Sequence, residues 1–161
     1  MRVGHGWDLH RLAAGRPLRL GGLTLPHPHG TVGHSDGDAL LHALMDALLG
    51  AAGLGDIGLL FPDTDPRYQG ADSATLLEEV LRRVHRAGYR VGNADLTVVL
   101  ERPKIGPYRD TLRQRIAQLL EVHPSHVNVK AKTSEGLGDV GKGEAVACHA
   151  VVLLEEVPRE E

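Results

Sequence analysis

The spacing of apolar positions changes period several times along the chain, and each change marks an element. The opening residues to about His10 read as a strand, and Leu18 to Leu25, around Gly21-Gly22, as a short hairpin arm. Behind Asp38, a side chain suited to capping, Leu40, Leu41, Leu44, Ala47 and Leu48 recur at helical spacing and predict a helix over 39–52, which Gly53 stops. A Gly- and Pro-rich loop runs to Gly70. Asp72 then caps a second helix carrying Leu76, Leu77, Val80, Leu81 and Val84, with Gly88 as its stop. The β-branched run from Asp95 to Leu100 predicts a strand. Pro107 opens a third helix to about Val122, with Leu112, Ile116, Leu119 and Leu120 on its apolar face. Val127 to Ala131 and Val146 to Val157 complete the set as a short and a long strand. Strand, hairpin, two helices, strand, helix, strand, strand is the order of an α/β sandwich, with helices on one face of a mixed sheet.

Composition narrows the class. With 161 residues, 42% of them hydrophobic, the chain has enough apolar material for one domain over 1–161 and too little for two. Aromatics make up 3%, so the core is aliphatic and the composition argues against an aromatic platform for stacking bases. The net charge of −3 argues against a nucleic-acid partner in the same direction. A single cysteine, Cys148, rules out an internal disulfide and any cysteine-based zinc cluster. The start MRVGHGWDL lacks the charged and apolar regions of a signal peptide, and no stretch reaches the length of a membrane span. The expectation is a cytoplasmic protein with no membrane partner.

Chemistry concentrates in Asp8-Leu9-His10 and in His42. On a strand, residues at i and i+2 share a face, so Asp8 and His10 form a two-ligand claw while His5 and Trp7 point the other way. His42, on the first helix, offers a third ligand; two histidines and one carboxylate with a position left open is the arrangement of a catalytic zinc site. Asp46, one helical turn on, is placed to orient the His42 ring. The plainer alternative is a polar face on an amphipathic helix, with histidines that hydrogen-bond or meet solvent. Two stretches also satisfy G-x-G-x-x-G, at Gly53, Gly55, Gly58 and at Gly136, Gly138, Gly141. Neither follows a strand and opens a helix, as a dinucleotide site requires, so they read as tight turns or as backbone cradles for phosphate.

Five blocks in register carry a resemblance: Gly4-His5-Gly6-Trp7-Asp8-Leu9-His10, His34-Ser35-Asp36-Gly37-Asp38, Leu54-Gly55-Asp56-Ile57-Gly58, Phe61-Pro62-Asp63-Thr64-Asp65-Pro66, and Asn128-Val129-Lys130-Ala131 leading to Thr133-Ser134-Glu135. In order and spacing they resemble the 2-C-methyl-D-erythritol 2,4-cyclodiphosphate synthases of non-mevalonate isoprenoid synthesis, over about residues 2–154. The resemblance implies a ferredoxin-like fold assembled as a homotrimer with active sites at subunit interfaces. It implies a lyase that cyclises 4-diphosphocytidyl-2-C-methyl-D-erythritol 2-phosphate, releasing CMP. Asp8, His10 and His42 fall on the positions that hold zinc or another divalent transition metal. His34 and Ser35 fall where substrate phosphates are met, with His34 stabilising charge on the attacking group. Asp56, Gly58, Phe61, Pro62, Asp63, Thr64 and Asp65 surround the methylerythritol diol and its phosphate, and residues 100–106, including Lys104, surround the cytosine. Thr133, Ser134 and Glu135 close the site, Glu135 being a hard oxygen ligand suited to Mg2+ or Mn2+. Lys132 stands where Thr is common. Asp139 and Lys142, the latter a further substrate-contact candidate, depart from the usual aromatic and Arg near the three-fold cavity. Asp36 and Asp38 read as cap and framework residues.

Two rivals follow from the same residues. A metallophosphoesterase also begins with D-x-H but needs further Asp, Asn and His ligands in later motifs, and no Asn-His pair occurs here. A non-catalytic trimeric nucleotide sensor would share the fold without the turnover.

Overall fold

A computed structural model describes residues 1–158. The strands are β1 (Arg2–Ala14), β2 (Leu18–Leu20), β3 (Leu23–Leu25), β4 (His29–Thr31), β5 (Tyr89–Val99), β6 (Val127–Lys132) and β7 (Ala145–Glu156). The helices are α1 (Ala39–Ala52), α2 (Ile57–Leu60), α3 (Ser73–Arg86), α4 (Arg109–Leu120) and α5 (Gly138–Gly141). Five strands form one mixed sheet in the order β4-β1-β7-β5-β6, and β2 and β3 form the small hairpin. Pairing is antiparallel except between β5 and β6, which run parallel and are joined through α4.

That topology corrects the ferredoxin-like expectation. A ferredoxin-like chain runs β-α-β-β-α-β with its hairpin in the middle. Here, with the short elements β2–β4, α2 and α5 set aside, the order is β-α-α-β-α-β-β, because the parallel β5–β6 pair needs a crossover helix and the antiparallel return to β7 comes last. Element boundaries shift as well. β1 continues past His10 because its far end pairs with β4, a strand too short to show in the pattern. β5 begins at Tyr89 rather than Asp95, held to β7 across a bulge at Gly92. Pro107 lies in a 3-10 turn before α4, and the loop after Gly53 contains α2 and a second 3-10 turn at Pro66–Tyr68. Within the Gly136–Gly141 stretch, Gly138–Gly141 form the single turn α5 before the chain enters β7.

The helices cover one face only. α1 packs across β1 and β7, α4 against β6, and α3 against α1 and β5. Close approach of α1 to β1 depends on two missing side chains: a Cβ on Gly4 would sit 1.9 Å from the Ala47 carbonyl oxygen, and one on Gly6 2.0 Å from that of Ala43. Cys148, buried on β7, pairs in register with Asp8 on β1. The opposite face of the sheet is bare, with Val3, Trp7, Leu9 and Val151 exposed. Among the described residues no helix is long and apolar enough to cross a membrane.

Candidate metal centre and substrate cleft

β1 alternation places Asp8 and His10 on the helix-covered face, in line with Gly4 and Gly6, so α1 passes directly over them. α1 is fixed at its start by Asp38, fully buried, whose carboxylate accepts the backbone N–H groups of Leu41, Gly21 and Gly22. Burial pushes the Asp38 carboxyl up, with those N–H groups pulling it down. The cap thereby ties the β2–β3 arm to the helix that carries His42.

His42 Nδ1 lies 3.1 Å from Asp8 Oδ2 and 3.1 Å from His10 Nε2, and the Asp8–His10 separation is 2.6 Å. Among the described residues these three form the one cluster with metal-ligand spacing. A tetrahedral ion with bonds of about 2.0 Å sets its ligands about 3.3 Å apart, so the donor set fits a borderline divalent ion after small adjustments. Burial alone would raise the Asp8 carboxyl, but hydrogen bonds and attraction from His10 and His42 outweigh it and bring the pKa down to about 2. Burial disfavours charged His10, yet Asp8 and the Val32 carbonyl more than compensate and raise it.

Asp46 does not orient the His42 ring. Its Oδ1 accepts the Ile57 N–H at 2.9 Å and anchors the start of α2, because Asp46 points along α1 toward the following loop. The His42 ring is instead held from its Nε2 side by Ser35 and Ser73.

A cleft of about 470 Å³ opens over the cluster. Asp8, His10, His34, Ser35, Gly58, Phe61, Pro62 and Asp63 all line it, over an apolar floor that includes Met45 and Leu76. Tyr68, which the sequence did not single out, stacks edge-on to Phe61 at 5.2 Å and forms another wall. Asp56, Thr64 and Asp65 belong to the same loop but not to the wall; Asp56 caps α2 and Asp65 caps the 3-10 turn. His34 Nε2 donates to the Asp65 carbonyl at 2.9 Å, and Gly70 N–H donates to the His34 carbonyl at 2.7 Å, so the loop is laced to the strand-to-helix turn.

None of Lys104, Lys132, Thr133, Ser134, Glu135 or Lys142 reaches this cleft. They lie elsewhere on the same chain. Glu101, another residue not singled out, accepts the Ser134 N–H at 2.7 Å and shapes the 133–136 turn, where exposed Glu135 takes a left-handed φ of 57°. Lys142 borders a separate hollow with His27, His29 and Arg102, and Asp139 borders a third with Arg11.

A family model, the YgbB family, matches residues 1–155. The chain belongs to the YgbB family. A Geobacter sulfurreducens protein named 2-C-methyl-D-erythritol 2,4-cyclodiphosphate synthase is 56% identical over 156 residues, covering 97% of this chain and 99% of the relative. A solved structure of 2C-methyl-D-erythritol-2,4-cyclodiphosphate synthase in its CDP-bound form matches at TM-score 0.88 and 49% identity, covering 96% of this chain and 100% of the other. The bifunctional IspDF from Campylobacter jejuni matches at TM-score 0.92 and 40% identity; this chain, 96% covered, spans only 42% of that longer one. The YgbB match, over residues 1–155, takes in Asp8, His10 and His42 together with the 133–135 turn.

Proposed function

We propose that this chain is a divalent-metal-dependent lyase that converts 4-diphosphocytidyl-2-C-methyl-D-erythritol 2-phosphate into 2-C-methyl-D-erythritol 2,4-cyclodiphosphate and CMP in non-mevalonate isoprenoid synthesis. The observation that carries the reading is the convergence of Asp8, His10 and His42 in the lining of a cleft, in a chain whose YgbB-family relatives bear that name. The reaction is intramolecular: an oxygen of the 2-phosphate attacks the β-phosphorus, and the bond from that phosphorus to the CMP oxygen breaks. Its needs are positioning and charge neutralisation.

Asp8, His10 and His42 would hold zinc or a similar ion, and Glu135 Mg2+ or Mn2+; bound there, such cations supply Lewis-acid neutralisation of the diphosphate. His34 and Ser35, on the turn that precedes α1, receive the attacking phosphate, and His34 donates to its developing charge. The loop with Asp56, Gly58, Phe61, Pro62, Asp63, Thr64 and Asp65 takes the methylerythritol. Lys104 with its neighbours takes the cytosine, Lys132, Thr133 and Ser134 present donors to the phosphates, and Lys142 adds a cation at the rim.

Because the second group of residues lies away from the cleft of its own chain, a neighbouring copy completes each site. A homotrimer packed through the bare sheet face, around Val3, Trp7, Leu9 and Val151, provides that neighbour and covers the apolar surface. The substrate is highly charged and water-soluble, and the reaction is placed in the cytoplasm. A two-metal phosphoesterase is disfavoured by the single three-ligand cluster among the described residues. A nucleotide sensor is separated by turnover.

The test is release of CMP from the substrate. His42→Ala removes one of three ligands, so zinc per chain and CMP release should both collapse. Glu135→Gln should leave zinc content intact while CMP release falls by orders of magnitude. Wild-type protein that binds substrate and releases no CMP would favour the sensor.

A further inference from the structure

Only one nitrogen of the His42 ring faces Asp8 and His10. The other, Nε2, lies 3.0 Å from Ser73 Oγ and 3.1 Å from Ser35 Oγ. Ser73 is the first residue of α3 and is wholly buried. Its backbone N–H donates to Asp36 Oδ2 at 3.0 Å and its hydroxyl to Asp36 Oδ1 at 2.5 Å. Asp36 Oδ1 also accepts the Asp38 N–H at 3.1 Å, and Arg19 Nε stands 3.7 Å from Oδ2.

These contacts leave one arrangement for the hydrogens. A carboxylate accepts and does not donate, so the single hydroxyl hydrogen of Ser73 lies on the line to Asp36. Ser73 Oγ therefore turns a lone pair toward His42 Nε2. Two facing lone pairs at 3.0 Å would repel, so Nε2 carries the hydrogen and donates it, shared between Ser73 and Ser35. A neutral imidazole protonated at Nε2 has its free lone pair on Nδ1, the atom aimed at Asp8 and His10.

We propose that Asp36 and Ser73 are positioning residues that fix the tautomer of His42: a carboxylate–serine–histidine relay across 37 residues of sequence delivers Nδ1 as the ligand. The Val32 carbonyl, 2.8 Å from His10 Nδ1, does the same for the other imidazole and leaves His10 Nε2 free. Outer partners of this kind orient metal-binding histidines and set their affinity. Asp36 thus does more than frame the helix start, and Ser73 acts without touching substrate. The proposal rests on reading the Asp8–His10–His42 cluster as a metal centre.

The test begins on the metal-free wild-type protein, by long-range 15N–1H NMR of the imidazoles at a pH where His42 is neutral. His42 is expected as the Nε2–H tautomer; the Nδ1–H tautomer overturns the relay. Ser73→Ala removes the acceptor. Asp36→Asn offers an amide hydrogen to Ser73 Oγ and turns the hydroxyl hydrogen onto Nε2, favouring the wrong tautomer. Each variant should weaken zinc binding, measured by chelator competition, by about 10- to 100-fold and shift the His42 15N pattern, which a merely structural role would leave alone. His42→Ala is the control for the underlying reading. Equal zinc in wild type and His42→Ala removes the metal centre itself. Zinc lost in His42→Ala but held within twofold in Ser73→Ala and Asp36→Asn, with an unchanged tautomer, overturns the relay and spares the centre.

Discussion

Gly6→Ala changes one hydrogen for a methyl at the point where helix meets sheet, and its cost can be worked through. Gly6 does not sit at positive φ, so the backbone tolerates alanine and only space is at issue. The new Cβ would meet the Ala43 carbonyl oxygen at 2.0 Å and the Ala47 nitrogen at 2.8 Å, both backbone atoms that no rotamer change can move. A carbon–oxygen contact relaxes only near 3.3 Å, so β1 and α1 must part by about 1.3 Å. Overpacking of this kind costs about 1–3 kcal/mol, and rigid backbone opposite the methyl puts the expectation at the upper end. The same displacement carries His42, the neighbour of Ala43, away from the Asp8–His10 claw, widening the 3.1 Å ligand spacings to about 4 Å. Metal sites tolerate errors of about 0.2 Å, so zinc affinity should fall by at least about 100-fold. Urea unfolding of metal-free protein at fixed concentration, with zinc competition on the folded protein, measures both. A variant within about 0.5 kcal/mol of wild type that binds zinc within threefold would refute the claim that these glycines set the metal geometry.

The remaining predictions probe other parts of the reasoning. Gly50→Ala, on the exposed side of the same helix with no atom within 4 Å of the added carbon, should be neutral to stabilising by up to about 1 kcal/mol in the same urea assay. In chelator-stripped protein, Asp8 lowered from 3.8 to about 2 contributes stability above about pH 4 that is lost as pH falls through about 2. His10, raised from 6.5, contributes stability below about pH 6.5 that is lost as pH climbs through its folded value. The Tm gap between wild type and Asp8→Asn should therefore be widest between about pH 4 and 6.5, and a gap flat from pH 4 to 9 would contradict the coupling. Val151→Glu, on the bare sheet face, should dissociate the proposed trimer on native mass spectrometry while the metal-free monomer keeps its helical circular dichroism; an intact trimer would move the interface elsewhere.

What the sequence made legible was local. The caps Asp38 and Asp72 hold the helix starts read from the pattern, since a cap acts within three residues of itself, whereas Asp56 and Asp65, read only as substrate contacts, turn out to cap α2 and the 3-10 turn. The i, i+2 claw of Asp8 and His10 is likewise a property of one strand. What stayed hidden depends on distant partners. β4 is three residues long and exists only because β1 lies beside it. Asp46 stands one turn from His42, but helix spacing sets only neighbourhood, and the Ile57 N–H took the carboxylate. Ser73 looked like the residue after a cap; its role needs α3 to be laid against the turn at Asp36, 37 residues away. The strand order departed from ferredoxin-like because pairing direction is a tertiary choice that no single segment encodes.

Cys148 gives the molecule its own clock. It is the sole cysteine, wholly buried on a central strand, and its thiol is held well above the ordinary range by burial and by the nearby Asp38 and Asp8 carboxylates. In the closed molecule no thiolate is presented to an alkylating reagent, so labelling must wait for β7 to leave β1. When reclosing is fast compared with alkylation, the labelling rate reports the population of opened molecules. Since Cys148 pairs with Asp8, the same opening dismantles the metal claw, and ligand occupancy would be read as a slowing of thiol chemistry on the strand behind it.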